Sequence, residues 1–138
     1  MTMAFSNSIQ PRKQRKARYT APLHARQKLV HAHVAAEARE KTGTTKRSTA
    51  VREGDRVKVS RGRFAGKSGK VSRVDLRDLK VYVEGMTARK AKGQEVLVAI
   101  DPSNLVITEL DLSDKNRKLV LARKGSAGGK AVAAAGVR

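Results

Sequence analysis

Residues 53–75, EGDRVKVSRGRFAGKSGKVSRVD, decide the fold. Val57 and Val59 alternate with Arg56 and Lys58, and Val71 and Val74 fall in a second short β-branched run, so two strands flank a loop. That loop interleaves Gly62, Gly66 and Gly69 with Arg61, Arg63, Lys67 and Lys70. Glycine permits positive φ and close backbone approach, so backbone N–H groups and side-chain charge can converge on one phosphate. Singly, each glycine reads as a turn residue; together with the cations they read as a phosphate-binding hairpin. Phe64 either plugs the open end of a small barrel or offers its face to an unpaired base. The plug is the preferred reading, because a core this small uses every large side chain available.

Three more strands follow, carried by Leu79, Val81 and Val83, by Val96, Val98 and Ile100, and by Leu105 and Ile107. Glu53-Gly54, Leu76 to Asp78 and Asp101-Pro102-Ser103-Asn104 supply the turns. Five short strands with one apolar face each can bury it only by curling, so the expected fold is mainly β: a small SH3-like five-stranded barrel over residues 49–112. The connection 85–94, GMTARKAKGQ, is expected to be an exposed loop presenting Arg89, Lys90 and Lys92.

On the N-terminal side, residues 1–20 read as a basic arm and 21–48 as a helix and linker. The helix is predicted over 21–42, with Thr20 as its cap, Pro22 in the first turn, a Glu37/Lys41 pair and Gly43 as its stop. Its apolar stripe of Leu23, Val30, Val34 and Ala38 is thin, so it needs another surface to persist. On the C-terminal side, 113–138 read as a short helix from Asp114 to Arg123, capped by Ser113, and a flexible tail after Gly125.

The 138 residues hold 31 Lys plus Arg against 12 Asp plus Glu, a net charge of +19, which calls for a polyanionic partner. All twelve acids lie between Glu37 and Asp114, so both ends carry unopposed positive charge. Like-charge repulsion keeps such ends from folding alone, and phosphate neutralises it. The N-terminal cations are Arg12, Lys13, Arg15, Lys16, Arg18, Arg26 and Lys28; Arg117 and Lys118 lie on the C-terminal helix. All of these, with the Arg61–Lys70 loop and Arg89, Lys90 and Lys92, are candidate RNA-binding residues.

Other chemistries find no support. There is no cysteine, which excludes disulfides and Cys-type zinc or iron–sulfur sites. No run of about 18 apolar residues spans a bilayer, no apolar segment follows a basic N-terminus as in a signal peptide, and the cytoplasm is the expected compartment. On a helix, His31 and His33 face opposite ways, while His24 and His31 lie about two turns apart, too far for one metal ion. Asp55, Asp75, Asp78, Asp101 and Asp114 fall at turns and caps. No nucleotide-binding or hydrolase motif is present. No enzyme activity, cofactor, metal or small-molecule substrate is expected.

Residues 61–71 resemble the KOW motif, R-G-x-[FY]-x-G-x-x-G-x-V, through Arg61, Gly62, Phe64, Gly66, Gly69 and Val71. KOW barrels occur in ribosomal proteins and in transcription elongation factors. Three neighbouring stretches, RKARYTAPLHARQKLVHAHVAAEAREKTGTTKRSTAVREGDRVKV, VYVEGMTARKAKGQEVLVAIDPSNLVITELDL and SDKNRK, are similar to the archaeal and eukaryotic form of the universal KOW protein of the large ribosomal subunit. The resemblance covers residues 12–124. It implies a structural protein that binds the 5′ region of large-subunit rRNA early in assembly, near the peptide tunnel exit and beside other ribosomal proteins. The alternative is a KOW elongation factor on RNA polymerase. Such factors place a mixed α/β domain before the KOW unit, and the residues before Val51 are too few and too basic for one. A nucleoid-type DNA protein fits less well, because duplex binding favours dyad-related surfaces.

Overall fold

A computed structural model describes residues 8–123; the expected C-terminal tail lies outside them. Four short α-helices, α1 (Pro11–Thr20), α2 (Leu23–Arg26), α3 (Ala36–Thr42) and α4 (Lys115–Ala122), surround seven strands. The strands are β1 (His31–Val34), β2 (Ser48–Ala50), β3 (Arg56–Val59), β4 (Ser68–Asp75), β5 (Lys80–Arg89), β6 (Glu95–Ile100) and β7 (Leu105–Glu109). They form one mixed sheet in the order β2-β1-β7-β3-β4-β5-β6.

The five expected strands are present as β3 to β7, and the protein is mainly β. The expected barrel is not formed: β6 and β2 are the two edges, so the sheet stays open. The second edge of β7 is taken by β1, in parallel register with His33 opposite Val106, which leaves β6 paired with β5 alone. Register shifts at Arg56/Val57, Val71/Arg73 and between Tyr82 and Thr87 bend the strands. One face is thereby gathered around a single valine-rich core containing Val57, Val59, Val71, Val81, Val83, Met86, Leu105 and Ile107. Val30, Ala32, Val34 and Val51 join that cluster from the segments before β3.

The helix expected over 21–42 is instead two short helices, α2, continued by a 3-10 turn at Gln27–Leu29, and α3, with the strand β1 between them. The chain leaves the helical region at Ala21 (ψ 138°), as expected for a residue preceding proline. Thr20 therefore ends α1, and its hydroxyl donates to the Lys16 carbonyl rather than capping a following helix. From Val30 to Val34 burial alternates with period two: Val30, Ala32 and Val34 are buried, while His31 and His33 share the exposed face instead of opposing each other. Gly43 does end α3, in the left-handed region at φ 62°. The polar linker ends in a strand, since Ser48–Ala50 pairs antiparallel with β1. The expected 85–94 loop is largely strand as well: β5 runs to Arg89 and pairs with β6 through Thr87/Leu97 and Arg89/Glu95. The cap of α4 is Asp114, whose carboxylate accepts from the Asn116 N–H at 2.8 Å; Ser113 lies one residue outside.

Candidate nucleic-acid interface

The β3–β4 hairpin is held at its base by two ladder bonds and at its side by a distant turn. Val59 N–H donates to Lys67 O at 2.9 Å and Gly66 N–H to Val59 O at 2.8 Å, while Ser60 donates from both N–H and hydroxyl to Asn104 O. Gly62 and Gly66 adopt φ of 94° and 85°, where a side chain is strained. Gly69 does not take a positive φ. It is needed for space: a Cβ there would lie 2.6 Å from Glu84 O and 2.8 Å from a Val83 methyl. Phe64 packs against the core cluster, and Arg63 and Lys67 sit 5.8 and 5.6 Å from its ring centre. Arg61, Arg63, Lys67 and Lys70 extend from this loop and the start of β4, and all four are exposed.

Two cations absent from the sequence-based set belong to this surface. Arg56 and Lys58 occupy the outward positions of β3, in register with Lys70 and Ser68 on β4. With Gly66, Gly69 and Lys70 they line a groove of about 740 Å³, in which Glu84 is the one acid. The alternating R-V-K-V of β3 was the available signal, since one face of that strand had to be cationic.

The other candidates are dispersed. Arg12, Lys13, Arg15, Lys16 and Arg18 lie on α1, which buries no residue. Its C-terminal end meets the β4–β5 turn, where Arg18 and Arg77 line a common groove. That turn lies at the far end of β4 from the hairpin loop, about 23 Å away along the strand. Lys28 and Lys118 are exposed, and Arg89, Lys90 and Lys92 crown the β5–β6 hairpin, turned by Gly93 at φ 83°.

Two arginines are committed to the fold. The Arg26 guanidinium donates to the carbonyls of Tyr19, Ala21 and Arg77, tying α1 to the β4–β5 turn. Arg117, expected on the RNA-facing side of the helix, is 4 % exposed and pairs with Asp55, which is 0 % exposed. Both guanidinium NH2 groups donate to the two Asp55 oxygens at 2.6 Å. Asp55 also accepts from the N–H of Arg52 at 2.9 Å and of Asp111 at 3.0 Å, and Arg117 further donates to the carbonyls of Asp111 and Ala50. A carboxylate predicted to serve a local turn thus latches α4 to the sheet.

Three other aspartates serve turns and the α4 cap. Asp75 is held below the ordinary carboxylate range by N–H groups of Asp78 and Arg77; Asp111 by the N–H and hydroxyl of Ser113; Asp114 by Arg52 and the Asn116 N–H. No group of three or more metal-ligating side chains occurs among the described residues. No helix among them is long and apolar enough to cross a membrane.

Fold and charge layout together define a class: small, mainly β, basic proteins organised around a glycine–cation KOW hairpin. Within that class the match is specific. Residues 8–124 fit the model of the ribosomal proteins called L26 in eukaryotes and L24 in archaea, and the chain belongs to that family. A relative, large ribosomal subunit protein uL24 of Pyrobaculum islandicum, is 45 % identical over 122 residues, covering 88 % of this chain and 98 % of that protein.

Proposed function

We propose that this protein is a structural constituent of the large ribosomal subunit in the cytoplasm, where it binds large-subunit rRNA and touches neighbouring ribosomal proteins. The observation that carries the reading is the cation-rich β3–β4 hairpin, with Arg56, Lys58 and Lys70 lining one groove and Arg61, Arg63 and Lys67 exposed on its loop, in a chain of this family. Phosphates approach the glycine backbone and the surrounding side chains supply charge, so the hairpin recognises the shape of folded RNA rather than base edges. The cations of α1 add sequence-independent anchoring. No chemical step is required.

The finer reading is a contact with the 5′ region of the rRNA, made early in assembly at a position near the tunnel exit. It rests on the KOW resemblance together with the high proportion of charge available before any neighbour has bound. Family membership argues against the polymerase-bound elongation factor. Filter binding of the full chain to transcripts of the 5′ third and of the remainder of large-subunit rRNA tests the reading. Preference for the 5′ transcript by about tenfold or more is expected; equal affinity for both defeats the 5′ assignment, and no binding to either defeats rRNA binding itself.

A further inference from the structure

The geometry points to Tyr19 as a stacking platform for an unpaired nucleobase of the bound RNA, a site separate from the KOW hairpin. The inference rests on the RNA-binding reading above.

Three of the aromatic residues lie in the described part of the chain, and two are already engaged. Phe64 packs on the core beneath Arg63 and Lys67, and Tyr82 is half-buried with Arg73 5.3 Å from its ring centre. Tyr19 differs: it is 75 % exposed in the last turn of α1, and no cation lies over its ring among the described residues. An aromatic ring left in water on a protein with few of them is an apolar face awaiting a partner.

Its surroundings select the partner. Tyr19 lines a groove of about 770 Å³ with Arg18, Leu23, Arg26, Arg77 and Lys80. That volume lies in the range, about 300–1,000 Å³, that encloses small organic ligands, so a nucleotide is accommodated. Lys80 pairs with Asp101 at 2.7 Å and Arg26 is held by backbone carbonyls, so the exposed Arg18 and Arg77 face one further acid of the lining, Asp78, and the groove keeps a positive balance. Leu23, half exposed, offers a second apolar surface. A flat ring flanked by phosphate-seeking cations suits a base that has left its helix: the base stacks while the adjoining phosphates meet the arginines.

The platform is also prearranged. Arg26 donates to the carbonyls on both sides of the α1 terminus, Tyr19 and Ala21, and to Arg77 across the groove. The backbone bearing the ring is thus anchored to the β4–β5 turn before RNA arrives, which reduces the ordering lost on binding.

The test uses the full chain and a refolded large-subunit rRNA transcript, comparing the unaltered protein with Tyr19→Leu, Tyr19→Phe and Arg18→Ala over a salt series. Stacking is worth about 1–3 kcal/mol per base, so Tyr19→Leu should weaken binding roughly 5- to 150-fold at every salt concentration. The slope of log K against log salt should stay unchanged, because no phosphate contact is removed. Tyr19→Phe should bind as the unaltered chain does, and Arg18→Ala should lower the slope by about one contact. On a transcript containing 4-thiouridine, ultraviolet irradiation of the unaltered protein should yield a cross-link at Tyr19.

Unaltered affinity in Tyr19→Leu, equal losses in Tyr19→Leu and Tyr19→Phe, or no cross-link at Tyr19 would each overturn the platform and make the ring a contact for a protein neighbour instead. If the unaltered chain fails to bind the transcript, the RNA-binding reading fails first, and that result is distinct from the other three.

Discussion

Replacing Arg117 with Ala should unfold the protein far more readily than it weakens RNA binding. The substitution leaves the Asp55 carboxylate, 0 % exposed, without its bidentate partner, and it strips donors from the carbonyls of Asp111 and Ala50. Breaking a buried pair by removing one member typically costs about 3–5 kcal/mol. Two features favour the lower end. Asp55 keeps the N–H groups of Arg52 and Asp111, and Arg117 borders a cavity of about 390 Å³ through which water can reach the vacated site. A loss of about 3 kcal/mol is a large share of a total stability of about 5–15 kcal/mol. At a urea m-value of about 1.5 kcal/mol/M it moves the unfolding midpoint by about 2 M, and it lowers Tm by roughly 12 °C. In a double-mutant cycle, Asp55→Ala with Arg117→Ala should cost less than the two single losses together by about 1.5 kcal/mol or more. Lys118→Ala, one position along α4 and exposed, should change stability by less than about 0.5 kcal/mol. An Arg117→Ala variant that melts within about 1 kcal/mol of the unaltered chain, yet loses rRNA affinity, would refute the latch and restore Arg117 as an RNA contact.

Three further outcomes follow from the same geometry. Gly69→Ala should destabilise by forcing β4 from β5, and Gly66→Ala by about 1–3 kcal/mol of backbone strain, whereas Arg63→Ala should cost under about 0.5 kcal/mol and act on binding; thermal melts of the three variants check the order. Asp75, Asp111 and Asp114 have depressed carboxyl pKa values in the fold, so their contribution is complete above the ordinary carboxylate range and is lost as pH falls through their folded-state values. Urea midpoints should therefore drop below about pH 4, and a flat profile from about pH 6 to about pH 3 would contradict the assigned turn contacts. Deleting residues 1–20 removes Arg12, Lys13, Arg15, Lys16 and Arg18, and should flatten the salt dependence of rRNA binding by about 3 to 4 units; an unchanged slope would show that α1 does not reach phosphate.

The strands β3 to β7 were legible because β-branched residues alternate within each of them and turn residues separate them. The segment Val30-His31-Ala32-His33-Val34 carried the same period-two pattern, yet Leu23, Val30, Val34 and Ala38 also align as a thin helical stripe. What settles the choice is pairing with β7, some seventy residues away, and local sequence does not contain that partner. Closure failed for a related reason: no property of β3 to β7 alone announces that β1 will occupy the free edge of β7.

The candidate site divides along the same line. The hairpin loop was readable because its chemistry is local: glycines, cations and a ring within a single short stretch. The burial of Arg117 is not legible locally, because a cation on a short basic helix looks solvated until its acid is known, and Asp55 lies 62 positions away. Of the two reasons for a glycine there, positive φ and close approach, Gly69 meets the second, and the constraint comes from the Glu84 carbonyl on the next strand, which local sequence does not show.

Sedimentation of cell lysate through a sucrose gradient, with the full chain followed by antibody, tests the central claim most directly. Co-migration with large ribosomal subunits is expected, persisting at salt concentrations that strip loosely bound basic proteins, because shape-fitted hairpin contacts outlast electrostatic anchoring alone. Migration at the top of the gradient, or recovery with RNA polymerase instead of large subunits, would contradict it.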